Sequence, residues 1–200
     1  MRGTGRRAAR QRATHETTVK VDLSLEGGGA VEVSTGLPFF DHMLTQLGRH
    51  AGFGLTVAAT GDLEVDAHHT VEDVGIVMGE ALAEALGEKA GIRRFASMAV
   101  PLDEALVEVA LDVSGRPFLA YDVPFGEQVT PLGTPAFEPQ LAEEFWRAFA
   151  TAAALTLHIR LVTGRNSHHV LEASFKGVAR CLRDAVVVEG TAIPSTKGRL

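Results

Sequence analysis

Apolar and polar positions alternate through Val19, Val21, Leu23 and Leu25, stop at Gly27-Gly28-Gly29, and resume at Val31 and Val33, which predicts a β-hairpin. A second stretch does the same from Leu106 to Val113, turns at Ser114-Gly115, and continues from Phe118 to Val123. After each hairpin the period lengthens to that of a short amphipathic helix, over 38–49 and again over 139–152. A strand pair follows the first helix at 55–59 and 63–67, and its counterpart after the second helix has a weaker last strand. Each run closes on a longer helix that begins just after a His-His pair. Its apolar stripe is Val71, Val74, Met78 and Leu82 in one case and Leu171, Phe175, Val178 and Leu182 in the other.

The two runs are copies of one another. Leu55-Thr56-Val57 returns as Leu155-Thr156-Leu157, and His68-His69-Thr70-Val71-Glu72 as His168-His169-Val170-Leu171-Glu172, both at an offset of 100. Upstream the offset is 102, with Met43, Leu44 and Leu47 matching Phe145, Trp146 and Phe149. The expectation is an α+β fold: a duplicated β-β-α-β-β-α unit giving two four-stranded sheets with helices packed on one face. The units are expected at 14–97 and 98–186, with residues 124–139 as one long loop and 187–200 as a tail.

Composition adds modest constraints. No apolar run reaches the ~18–20 residues of a membrane span, and the single cysteine, Cys181, has no internal disulfide partner, which points to a reducing cytoplasm. Of the net charge of −6, residues 1–12 contribute five arginines and no acid, so the remainder carries −11. An acidic body argues against nucleic acid as the main partner, and residues 1–13 read as a disordered basic arm.

The chemistry concentrates on the repeated His-His-x-x-Glu. At a helix start, Glu72 and Glu172 lie one turn from their histidines, while adjacent histidines point about 100° apart, so the two members of each pair suit different metal ions. Imidazole and carboxylate without thiolate favour Mn, Fe, Co, Ni or Zn. His42 and its repeat counterpart Glu144 are further candidate ligands; His15, His50 and His158 have no such partner. Arg94, Arg116, Lys176 and the closing Pro194-Ser195-Thr196-Lys197-Gly198 suit a phosphate. On residues alone a phosphate-binding metalloenzyme, a dinuclear hydrolase and a metal-glued structural shell all stay open.

The words Leu37-Pro38-Phe39-Phe40-Asp41-His42-Met43-Leu44, Asp66-Ala67-His68-His69-Thr70-Val71-Glu72-Asp73, Pro101-Leu102-Asp103-Glu104-Ala105, Ser114-Gly115-Arg116-Pro117, Gly164-Arg165-Asn166-Ser167-His168-His169 and Pro194-Ser195-Thr196-Lys197-Gly198 resemble the imidazoleglycerol-phosphate dehydratases of histidine biosynthesis. The resemblance runs from about Thr14 to the C-terminus. It implies a hydro-lyase that converts D-erythro-imidazole-glycerol phosphate to imidazole-acetol phosphate through a metal-stabilised imidazolate, in a 24-subunit homo-oligomer with two Mn²⁺ per active site. By the same resemblance the ligands are His42, His68, His69, Glu72, Glu144, His168, His169 and Glu172, with Glu144 standing where many members carry histidine. Phosphate falls to Gln46, Arg94, Arg116, Lys176, Ser195 and Lys197; Glu16 and Asp103 line the same pocket. Glu172 is the leading proton carrier, ahead of Glu72 and Glu16. No nucleic acid or membrane partner is implied.

Overall fold

The computed structural model describes residues 5–126 and 129–200. The first half contains strands β1 (Arg7–Ala13), β2 (Thr17–Ser24) and β3 (Val31–Ser34), helix α1 (Pro38–Ala51), strand β4 (Gly54–Gly61) and helix α2 (His68–Leu86). The second repeats that order with β5 (Phe95–Leu102), β6 (Ala105–Asp112), β7 (Phe118–Asp122), α3 (Leu141–Ala152), β8 (Thr156–Thr163) and α4 (Ser167–Ala185). Two four-stranded sheets result, ordered β1-β2-β4-β3 and β5-β6-β8-β7. The duplicated α+β architecture expected from the sequence is therefore present, but the strands are arranged differently within each unit.

Neither expected hairpin forms. β4 lies between β2 and β3, antiparallel to the first and parallel to the second, with Val57 facing both Val21 and Val33. Parallel neighbours need a crossover, and α1 supplies it; α3 does the same between β7 and β8. The glycine run serves close approach instead of a hairpin turn: a Cβ on Gly29 would sit 2.4 Å from Gly54 Cα. The second member of the expected strand pair, 63–67, is also absent; after β4 the chain turns directly into α2. Each unit is thus β-β-β-α-β-α, its fourth strand supplied at its own start.

In the first unit that strand is β1, drawn from the arm expected to be disordered. It pairs with β2 along its whole length, Arg7 opposite Ser24 through Ala13 opposite Thr18. Its arginines find acids that are remote in sequence: Arg7 with Asp22, Arg10 with Glu84, and Arg12 with Asp73 at 2.8 Å. Asp73, on α2, also accepts the Thr17 hydroxyl, so strand and helix are tied together. Residues 1–4 of the arm lie outside the described residues. β5 likewise crosses the boundary expected at 97/98, and the units divide in the 87–94 connection.

Helices α2 and α4 cover one face of their sheets, and the helices of one half pack on those of the other, α1 against α4 and α2 against α3. Phe40, Phe145, Trp146 and Phe175 are fully buried there. The Trp146 ring centroid lies 4.6 Å from Phe175 and 5.8 Å from Phe149. α2 and α3 meet at backbone distance: a Cβ on Gly75 would stand 2.8 Å from the Phe145 carbonyl oxygen, and one on Gly79 2.6 Å from that of Phe149. Glycine is the only residue that fits this approach without a shift of one helix. No helix among the described residues is long and apolar enough to cross a membrane.

Candidate metal centre

Local sequence sets each ligand-bearing helix. α1 starts with Pro38 in its first turn, where a missing N–H goes unnoticed, and Asp41 accepts the Thr35 amide at 2.8 Å and its hydroxyl at 2.6 Å. It stops at Gly52, whose φ of 71° is left-handed. Asn166 caps α4 by accepting the amides of His168 and His169, and Asp66 takes the amide of His68 at 2.9 Å. Both His-His pairs are thereby held in the first turn of their helices.

Packing of α1 on α4 brings His42, His168 and Glu172 together, although 126 or more positions separate the first from the other two. Nε2 of His42 lies 3.2 Å and Nε2 of His168 2.9 Å from Glu172 Oε2, and the three donor atoms fall within 4.8 Å of one another. Cis ligands of an ion with ~2.1 Å bonds stand about 3 Å apart, so these separations fit a divalent cation. The other oxygen of Glu172 accepts from Lys176 at 2.6 Å, and Phe39 packs edge-on against the His168 ring. Burial pushes the Glu172 carboxyl up, but hydrogen bonds from Lys176, His42 and His168 outweigh it and hold the pKa at about 2. On the next turns of α1, Gln46 bonds His50 at 3.1 Å; burial and then the charges of Lys176 and Arg180 depress the His50 pKa.

The second histidine of each pair is turned away. His69 stands at 88° to His68 and His169 at 80° to His168, with ring centroids 6.1 and 6.2 Å apart. Nδ1–H of His69 donates to Asp62 at 3.0 Å, and that of His169 to Glu104 at 2.8 Å. These hydrogen bonds raise both histidine pKa values and lower that of Glu104 to about 2. A carboxylate on Nδ1 fixes the tautomer and leaves Nε2 to bind a metal. Glu16 lies 3.9 Å from Nε2 of His69 and Asp103 lies 3.7 Å from Nε2 of His169, one from each β-β turn.

On α2, His68 Nε2 is 4.0 Å from Glu72 Oε2, a looser arrangement than on α4. Glu144 lies 3.9 Å from Arg147 on its own helix, and no hydrogen bond or ion pair joins it to His68 or Glu72 among the described residues. Of the expected phosphate residues, Gln46 and Lys176 lie on the helices of the first cluster, whereas Arg94 and Arg116 gather at Asp112, with the tail beside Arg94. Arg94, at φ 77°, grips Asp112 with two bonds of 2.7 and 3.1 Å and donates to the Pro194 carbonyl at 2.7 Å, fixing the tail beside it. Arg116 is exposed, with Nη2 3.7 Å from Asp112. Ser195 and Lys197 follow on the tail, the Ser195 hydroxyl accepting the Lys197 amide at 3.2 Å.

Asp62 and Glu104 were not among the residues expected from the sequence. Glu104 sits in a motif word but 65 positions from the imidazole it braces, and only folding pairs them.

The family model for imidazoleglycerol-phosphate dehydratase matches residues 35–182. The chain is 55% identical over 196 residues to the imidazoleglycerol-phosphate dehydratase of Acidothermus cellulolyticus, an alignment covering 98% of this chain and 93% of the relative. It is 50% identical over 193 residues to that of Carboxydothermus hydrogenoformans, covering 96% and 98%. The crystal structure of the Staphylococcus aureus enzyme is similar at a TM-score of 0.80 and 36% identity, covering 91% of this chain and 99% of that one. For the Pyrococcus furiosus enzyme the values are 0.82 and 37%, over 96% and 100%.

Proposed function

The chain belongs to the imidazoleglycerol-phosphate dehydratase family, hydro-lyases of histidine biosynthesis, and from that premise we propose that it dehydrates D-erythro-imidazole-glycerol phosphate to imidazole-acetol phosphate with two Mn²⁺ at each active site. The observation that carries the metal reading is the meeting of His42, His168 and Glu172 across two helices from different halves of the chain.

The reaction removes hydroxide from one carbon of the glycerol chain and a proton from its neighbour, giving an enol that ketonises. Neither carbon bears a carbonyl, so the proton is not acidic. A divalent ion, when bound, supplies Lewis acidity at a ring nitrogen of the substrate. The protein's own part is to hold the ring, grip the phosphate and move the protons. Glu172, ionised at neutral pH and steadied by Lys176 on one oxygen, is the first candidate to carry them, followed by Glu72 and Glu16. Glu16 stands beside Nε2 of His69 and Asp103 beside Nε2 of His169, each from the turn between two strands of its own half.

Phosphate binding falls to Gln46, Arg94, Arg116, Lys176, Ser195 and Lys197. Arg94 uses three of its five N–H donors on Asp112 and Pro194, which leaves two for phosphate and keeps the tail bearing Ser195 and Lys197 in place. Contacts at that end position the reacting carbons without touching them.

His69 and His169 bear on assembly. Each is braced through Nδ1 and turned from its neighbour, so its Nε2 serves an ion held by another copy of the chain. The ligand set of one ion, formed by His42, His168 and Glu172, is completed by such a histidine, and that of the other rests on His68, Glu72 and Glu144. Sites shared in this way belong to a 24-subunit shell that the ions help to hold.

The direct test is dehydration by chelator-stripped protein with and without Mn²⁺, following imidazole-acetol phosphate. Mn²⁺-dependent turnover is the expected result; absence of turnover in folded protein at any metal loading would overturn the reading. Light scattering on the same samples should show a smaller particle after chelation, and an unchanged large particle would refute metal-dependent assembly.

A further inference from the structure

We propose that the two ion sites of this chain are inequivalent, an imidazole-rich one on α1 and α4 and a carboxylate-rich one on α2 and α3, so that both accept Mn²⁺ but differ in which ion they take when Zn²⁺ and Mn²⁺ are offered together. The inference rests on the metal reading above and extends it to the chain's own departure from internal symmetry.

The repeat relates His68 to His168, Glu72 to Glu172, and His42 to Glu144. The helix pairs follow the same relation. On one side His42 meets Glu172, and eight residues further along α1 His50 lies within the influence of Lys176 and Arg180, so α1 and α4 run in the same direction. On the other side, Gly75 meets Phe145 and Ala148, while Gly79, one turn on, meets Phe149 and Ala152; α2 and α3 therefore also run in parallel. One turn back from the Gly75 crossing, α2 and α3 carry Glu72 and Glu144 at the positions that the repeat assigns to Glu172 and His42, although their donor atoms do not draw together as closely as those of His42, His168 and Glu172.

The donors differ by that one exchange. The α1–α4 site offers two imidazoles and one carboxylate; the α2–α3 site offers one imidazole and two carboxylates. Glu144 keeps a guanidinium within 3.9 Å, and Arg147 also pairs with Glu143, so positive charge already stands at this carboxylate. Imidazole favours the borderline ions at the zinc end of the series, whereas carboxylate favours harder ions such as Mn²⁺.

The test uses full-length, metal-stripped protein titrated calorimetrically with Zn²⁺ and with Mn²⁺, then loaded with one equivalent of Zn²⁺ followed by excess Mn²⁺, dialysed and analysed for metal. Two separate binding steps and a mixed Zn–Mn content near one of each per chain are expected. Glu144→His should merge the two Zn²⁺ steps by raising the affinity of the weaker site about 10-fold or more. Glu144→Gln, which keeps the shape and removes the charge, should weaken the second Mn²⁺ step about as much and leave the tight Zn²⁺ step unchanged. Two equivalents bound with a single affinity, or steps that stay apart in Glu144→His, would overturn the inequivalence while leaving the metal reading intact. Failure to bind either ion would instead overturn the metal reading, and this inference with it.

Discussion

Replacing Glu104 by alanine isolates what the brace on His169 does. In the folded chain Glu104 Oε2 accepts Nδ1–H of His169 at 2.8 Å, while Oε1 accepts the Asn166 amide at 2.9 Å and the Arg165 amide at 3.3 Å. One carboxylate therefore orients the imidazole and steadies the loop whose Asn166 caps α4. Removing it frees the ring to rotate and to exchange its tautomer, so Nε2 is presented correctly only part of the time. Loss of such a partner lowers metal affinity or activity by about 10–100-fold. Because the cap is loosened as well, Glu104→Ala belongs at the upper end of that range. Glu104→Gln keeps an acceptor for the backbone amides and belongs at the lower end. The assay is a Mn²⁺ titration of stripped protein, by calorimetry and by recovery of dehydration. A double-mutant cycle supplies the control: in a His169→Ala background, Glu104→Ala should cost little more. Unchanged Mn²⁺ affinity in the single variant, or an undiminished loss in the His169→Ala background, would refute the brace.

Gly79→Ala should destabilise the fold by about 1–3 kcal/mol, read as a lower thermal midpoint, because its Cβ meets the Phe149 carbonyl at 2.6 Å and Ala152 Cβ at 2.7 Å. Cys181 is buried and its thiol is pushed up to about 12, so it stays protonated at pH 8; thiol reagents should label it only as the protein unfolds. Glu172 has a folded pKa of about 2 against an ordinary 4.5, so its contribution to stability is complete above about pH 4.5 and is lost as pH falls toward 2. Metal-free Glu172→Gln should show a flatter thermal midpoint across that window; an acid limb as steep as the wild type's would contradict the assignment.

The duplication, the four helices and the repeated His-His-x-x-Glu could be read from the chain because each is written in neighbouring residues. Apolar stripes of period 3.6 mark the helices whatever they pack on. Strand order is set by partners far apart, and it went astray where the sequence looked most local. Val19 to Val33 reads as a hairpin, yet β4 enters between its arms because α1 carries the chain over the sheet. The basic N-terminal residues read as a solvated arm because Asp22, Asp73 and Glu84, which neutralise them, lie between 15 and 74 positions away. The carboxylates behind His69 and His169 were hidden for a related reason: nothing in a lone Asp62 or Glu104 says which imidazole it will face.

The crossed packing of helices has a further consequence. Since α3 and α4 are the repeat images of α1 and α2, the contacts α1–α4 and α2–α3 are one contact made twice, as across the isologous interface of a two-fold dimer. The chain is in effect a dimer of half-chains whose subunits have been joined end to end. Either half released alone would expose the apolar faces that now bury Phe40 and Phe175, and would recover cover by pairing with its own kind. The joining also frees the partners from identity: a substitution in one copy no longer appears in both sites, and residues 42 and 144 have used that freedom.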